Sequence, residues 1–219
     1  MSLAYMLGKS SAKWLKVKVN IPLIMVLSIL PDADLIIDYL TGSTLHRGPS
    51  HSLIFTILAF LPFLIVYRKK AIPYFIAFSS HALIGDFFIG GVELLWPFSQ
   101  TKYGITALSV FSPTNILLEM ILFIAAMFVI YKSGDWKIFL NGNKSNLLLI
   151  IPMFTVLLPT LVGFPFSKPL VLTEPLLSLA HLVYLVLFTI AVIRTLQSTY
   201  NRRLKPPLPS KGKIEASLH

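Results

Sequence analysis

Six stretches of this 219-residue chain approach the length of apolar sequence that crosses a bilayer, and nothing else limits the fold so strongly. A bilayer core takes about 20 mostly apolar residues per helix. In hydrocarbon every backbone amide must be bonded within the structure, so stretches of this kind fold as helices. They cover residues 20–40, 51–67, 71–90, 115–131, 147–166 and 175–193. The expected fold is all-α, a polytopic transmembrane bundle of about six helices, one of them broken. The broken one is the first. Only its "IPLIMVLSIL" run is cleanly apolar; Pro31 interrupts it, and Asp32, Asp34 and Asp38 follow.

Composition agrees. Charged residues make up 13% of the chain, against about a quarter in soluble domains. The net charge of +10 points to anionic lipid headgroups and topology control rather than nucleic acid, because no basic stripe is interleaved with aromatics. The absence of Cys excludes disulfides, thiolate nucleophiles and Cys-type metal sites. Residues 1–19 read as an amphipathic helix at the membrane surface and not as a cleavable signal, since the lysines follow the apolar stretch. Residues 20–99 form the membrane domain carrying the His and Asp motifs, and 100–195 add further transmembrane helices to it. The basic, proline-containing tail, 196–219, is expected to be disordered.

The basic residues set the orientation. With both termini cytoplasmic and six alternating spans, only Arg47, Lys102 and Lys168 of the 19 Lys and Arg residues fall outside. That asymmetry is the positive-inside pattern of an inner or plasma membrane protein. A first span that only dips into the membrane would move Lys9, Lys13, Lys16 and Lys18 outside and weaken it.

Ionisable side chains within spans are costly and mark function by default. The layout collects them near the outer face: Asp32 and Asp34 in span one, His46 and His51 around the start of span two, and His81 and Asp86 in span three. Imidazole and carboxylate without thiolate suit a divalent metal, zinc first, then manganese or iron. Pro31 should end the helix before it and leave Asp32 and Asp34 on irregular backbone. In "HRGPSHSL", Gly48 permits a turn and Pro49 suits a first helical position, so His46 approaches from the loop and His51 from the first turn. Arg47 would be a fixed cation suited to a phosphate. Asp38 reads as a cap or a solvated acid, Glu93 and Trp96 as interfacial residues, Glu119 as structural or a partner of Arg47, and His181 as a hydrogen-bonded packing residue.

The blocks "SILPDADLI", "HRGPSHSL" and "SHALIGDFF" running into "GGVELLWPFS" resemble the YdjM-like family of membrane-bound proteins, assigned by inference as metal-dependent hydrolases. The resemblance runs from about Leu30 to Ser99; beyond it the chain is similar only in having further hydrophobic helices. It implies a helical membrane protein with a metal bound by Asp32, Asp34, His46, His51, His81 and Asp86. Three departures stand out. Tyr5 and Leu35 occupy places where many members carry His. Gly85 takes the place of an Asp four residues after the His, with Asp86 following. On a regular helix, five residues is an offset of about 140°, which would separate His81 from Asp86; a π-bulge at Gly85 would realign them.

The resulting expectation is metal-dependent hydrolysis of a phosphoester in a lipid-like substrate at the outer leaflet. Asp34 or Asp86 would act as general base, and Arg47 would hold substrate charge. The alternative is a non-enzymatic transporter or ion-binding membrane protein using the same cluster.

Overall fold

A computed structural model of the chain describes residues 1–43, 45–105, 108–164 and 168–204. Helix α1 (Ser2–Trp14) leads to α2 (Ile21–Leu27). Asn20 starts α2 by accepting a hydrogen bond from the Leu23 amide at 3.1 Å, and Pro22 sits in the first turn, where no amide partner is required. α2 ends at Ser28. A 3-10 turn (Pro31–Ala33) then leads into α3 (Asp34–Thr41). The break at Pro31 is present. Asp32 lies in the 3-10 turn, but Asp34 heads α3 rather than lying on irregular backbone.

A second 3-10 turn (Pro49–His51) precedes α4 (Leu53–Tyr67), which Ser52 caps. Next comes α5 (Ile72–Ser80), which passes directly into a π-helical turn (His81–Asp86). α6 (Pro113–Ser133) is capped by Ser112, and the short α7 (Trp136–Leu140) follows. The rest comprises a composite span (Lys144–Val162), a short helix (Leu170–Thr173) and a terminal helix (Pro175–Leu204). Among the described residues the β-type pairing is an isolated bridge between Val92 and Tyr103. The chain is all-α.

Among the described residues, three helices are long and apolar enough to cross a membrane: Pro113–Ser133, Lys144–Val162 and Pro175–Leu204, with mean hydropathies of 2.1, 2.0 and 2.5. The other three expected spans are shorter pieces. A 3-10 turn separates α2 from α3, α4 has 15 residues, and α5 has 9 before the π turn. The count of about six is therefore loose. The terminal helix continues to Leu204, past the expected boundary at 195; residues 205–219 of the expected tail lie outside the described residues.

The core gathers Tyr5, Ile24, Met25, Phe139, Leu149, Leu157 and Phe188 from both ends of the chain. The outward faces stay apolar: Leu58, Leu117, Ile124 and Leu172 are exposed. Apolar exposure on this scale marks a surface that meets lipid or protein rather than water.

The N-terminal segment corrects one expectation. α1 packs against α5 and α6 with Ala4, Tyr5 and Gly8 buried, instead of lying on the membrane surface. A Cβ at Gly8 would sit 3.1 Å from Ile24 Cδ1 and 3.2 Å from the Pro73 carbonyl, so the helices approach closely there. Tyr5 Oη donates to Asp135 Oδ2 at 2.7 Å, and Lys9 pairs with the same oxygen. An amphipathic face is satisfied as well by a protein partner as by lipid, and this bundle supplies the partner together with a carboxylate for two of the polar groups.

Candidate metal centre

Three breaks in helical regularity deliver polar side chains to one place. The 3-10 turn at Pro31 carries Asp32, the start of α3 carries Asp34, and the turn opening at Pro49 carries His51. The π turn carries His81 and Asp86 at its two ends. Its wider winding brings residues five apart into line, and His81 Nε2 lies 3.1 Å from Asp86 Oδ2. The realignment expected at Gly85 is the observed one.

All six candidate ligands fall into two groups that share His51. Asp32, His51, His81 and Asp86 form the first, and Asp34, His46 and His51 the second. In the first group, His81 Nε2 is 3.0 Å from Asp32 Oδ1, and His51 Nε2 is 3.4 Å from Asp32 Oδ1 and 3.1 Å from Asp86 Oδ2. Ligands about 2.0–2.1 Å from zinc in a tetrahedron stand about 3.3 Å from one another, so these separations match a zinc-sized site. Two of the atoms, His51 Nε2 and Asp86 Oδ2, are buried and lie 3.1 Å apart, within ion-pair distance but without the geometry of a hydrogen bond to each other or to any other group. Leaving a buried polar atom unsatisfied costs about 1–3 kcal/mol. A cation among the four atoms would satisfy both, and the donor set fits a divalent metal.

In the second group, His46 Nδ1 is 2.9 Å from Asp34 Oδ1. Ser50 Oγ donates to Asp34 Oδ2 and lies 2.9 Å from His51 Nδ1, which is itself 3.4 Å from Asp34 Oδ2. These contacts fix the His51 ring through Nδ1 and leave Nε2 for the first group, the arrangement in which an outer carboxylate or hydroxyl orients a metal-binding imidazole. His51 is fully buried, with ring centroids 5.0 Å from His46 and 5.2 Å from His81.

Arg47 stands behind Asp86. Its Nη2 is 3.3 Å from Asp86 Oδ1, and its Nη1 donates to the Ile89 carbonyl at 2.9 Å. The residue has φ +65°, a left-handed conformation that costs a non-glycine residue about 1–2 kcal/mol. Gly90 leaves the room: a Cβ there would lie 2.6 Å from Nη1. The ion-pair partner of Arg47 is Asp86, not Glu119. Among the described residues, Glu93, Glu119 and His181 belong to neither group. His181 Nδ1 instead faces the Leu177 carbonyl at 2.9 Å. Tyr5, where the resemblance suggests a His, is bonded to Asp135.

Two contributors were not anticipated. Ser50, between two His residues in "HRGPSHSL", orients both Asp34 and His51. Asp38, expected as a cap or solvated acid, accepts from the Leu45 and His46 amides at 2.8 and 2.9 Å and from Ser43 Oγ at 2.6 Å. It ties down the loop from which His46 reaches Asp34.

Fold and site together define a helical membrane protein with a buried His and Asp cluster of metal-binding type. The chain belongs to the YdjM inner membrane protein family, whose pattern matches residues 1–168. The match extends well beyond the residues 30–99 that carry the recognisable blocks and leaves the terminal helix outside. No curated protein and no solved structure matches the chain.

Proposed function

We propose that this protein is a membrane-bound, metal-dependent hydrolase acting on a phosphoester of a lipid-like substrate. The observation that carries the reading is the convergence of Asp32, His51, His81 and Asp86, with His51 Nε2 and Asp86 Oδ2 buried, facing only other members of the cluster and hydrogen-bonded to none of them. A divalent cation held there, zinc before manganese or iron, would supply Lewis-acid polarisation of a phosphoryl oxygen and activation of water by accepting a further ligand beyond the four side chains. The protein's own groups do the rest. Arg47 holds Asp86 by one oxygen and keeps the other turned to the cluster. Asp34 and Ser50 hold His51. With Nδ1 engaged by Asp34, His46 keeps Nε2 for proton transfer, the His–carboxylate pairing used in general acid–base catalysis. The apolar exterior favours a substrate drawn from the bilayer.

The topology read from charge fits the same picture in part: multiple spans, the basic segments and the terminal helix's polar end cytoplasmic, and the cluster towards the outer leaflet, while the first residues of α1 are buried within the bundle, Ser2 Oγ 2.8 Å from Tyr184 Oη. Contacts between basic segments support it. Lys9 pairs with Asp135 just past the end of α6, and the Asn20 amide donates to Tyr74 near the start of α5, close to Arg68, Lys69 and Lys70. These segments therefore meet at one end of the bundle.

The test is metal content and turnover together. Detergent-purified protein should hold divalent metal stoichiometrically, His51→Ala should lose it, and loaded protein should hydrolyse a member of a panel of phospholipids and isoprenoid phosphates. Stoichiometric metal with no turnover across the panel would sink the hydrolase reading and leave ion binding or transport. No metal in the wild type would sink both.

A further inference from the structure

We infer that a second site, at the end of the bundle remote from the His and Asp cluster, binds the phosphate of an anionic phospholipid. A cavity of about 410 Å³, broadly open to solvent, lies between the segment after α7 and the last turns of the terminal helix. Asn141 and Gly142 form one wall; Arg194, Gln197, Ser198 and Arg202 form the other. The lining contains two guanidinium groups, several neutral donors and no carboxylate. The acid nearest in the sequence, Asp135, is already bonded to Lys9 and Tyr5. Among the described residues neither Arg194 nor Arg202 forms an ion pair with a carboxylate.

The cavity is built rather than incidental. Gly142 has φ +61°, and a Cβ there would lie 2.7 Å from Ser198 Cβ and 3.0 Å from the Arg194 carbonyl. Only glycine lets the loop press this closely on the helix. Thr195 Oγ1 donates to the Asn143 carbonyl at 3.1 Å, and Asn146 Nδ2 donates to the Ile138 carbonyl at 2.9 Å. Both walls are thus fixed to each other before any ligand arrives.

Position identifies the ligand. The apolar part of the terminal helix ends at Ile193, and Arg194 begins its polar end, so the cavity lies at headgroup depth. α6, with 21 residues, places its two ends about 30 Å apart, which separates this cavity from the loops around Arg47 and Asp86. A basic pocket at the membrane boundary of a helical bundle suits an anionic lipid headgroup, with the acyl chains against the exposed apolar faces below. Arginine pairs with phosphate through two parallel donors.

The experiment is native mass spectrometry of the full chain in detergent, titrated separately with phosphatidylglycerol, phosphatidylcholine and inorganic phosphate. One phosphatidylglycerol should be retained per chain. Retention should fall by about tenfold or more in Arg194→Gln/Arg202→Gln and stay unchanged in Lys69→Gln/Lys70→Gln, which removes equal charge elsewhere. Both arginines are exposed, so the double variant should unfold at the wild-type temperature. Equal retention of phosphatidylcholine, equal loss in both double variants, or displacement of the lipid by millimolar inorganic phosphate would overturn the assignment.

Discussion

Arg47 and Asp86 divide one carboxylate between two tasks: Arg47 Nη2 takes Oδ1 at 3.3 Å, while Oδ2 stands 3.1 Å from both His51 Nε2 and His81 Nε2. An outer partner that fixes a ligand in this way typically contributes about 10–100-fold in metal affinity. Arg47→Ala should therefore weaken metal binding by about that factor, measured by competition with a chromophoric chelator. Unchanged affinity with reduced turnover would instead place Arg47 on the substrate.

His51 separates a one-ion site from a two-ion site. Its Nε2 serves the first group and its Nδ1 faces Ser50 and Asp34. We expect one divalent ion per chain by elemental analysis. Asp32→Ala and His81→Ala should lose it. His46→Ala should retain it and lower turnover by about 100-fold or more, the usual loss when a general acid–base group is removed. Two ions per chain would make Asp34 and His46 ligands in their own right.

Orientation can be read with single cysteines, since the chain has none. Gln100 and Ser133 are both exposed. Gln100→Cys should react with an impermeant maleimide on intact cells, and Ser133→Cys only after permeabilisation. The reverse result would put the His and Asp cluster on the cytoplasmic side.

His181 is a control inside the membrane region. Its Nδ1 already faces the Leu177 carbonyl, and it lies outside both ligand groups. His181→Asn preserves one hydrogen bond and should leave metal content at the wild-type level. Metal loss in a variant that elutes as a folded species would show that the terminal helix feeds the site.

Much of the site is legible in the sequence because its residues sit where regular structure fails. Pro31 announces a break, and the pair Gly48–Pro49 announces a turn. The five-residue interval from His81 to Asp86 makes sense only on an over-wide helical turn, and that turn is present. The placement of α1 was not legible. Its alternation of apolar face and lysines is the same whether lipid or α5 and α6 cover the apolar side, and Asp135, which receives Tyr5 and Lys9, lies over a hundred residues away. The partner of Arg47 was equally hidden: a guanidinium in a loop is compatible with Asp86, Glu119 or a phosphate until the chain is folded. Ser50 and Asp38 gave no signal beyond their neighbours, because a hydroxyl or carboxylate that orients another side chain leaves no spacing pattern of its own.

The π turn between His81 and Asp86 also bears on how such centres tolerate change. One additional residue along the chain has been absorbed by a local widening of the coil, and the two side chains still meet. Distance along the sequence and distance in space have come apart there. A search that counts fixed intervals between ligands would pass over this centre, whereas one that allows a shift of one at glycine would find it. Removing Gly85 offers the converse: a four-residue interval on an ordinary helix, with the same two groups on one face.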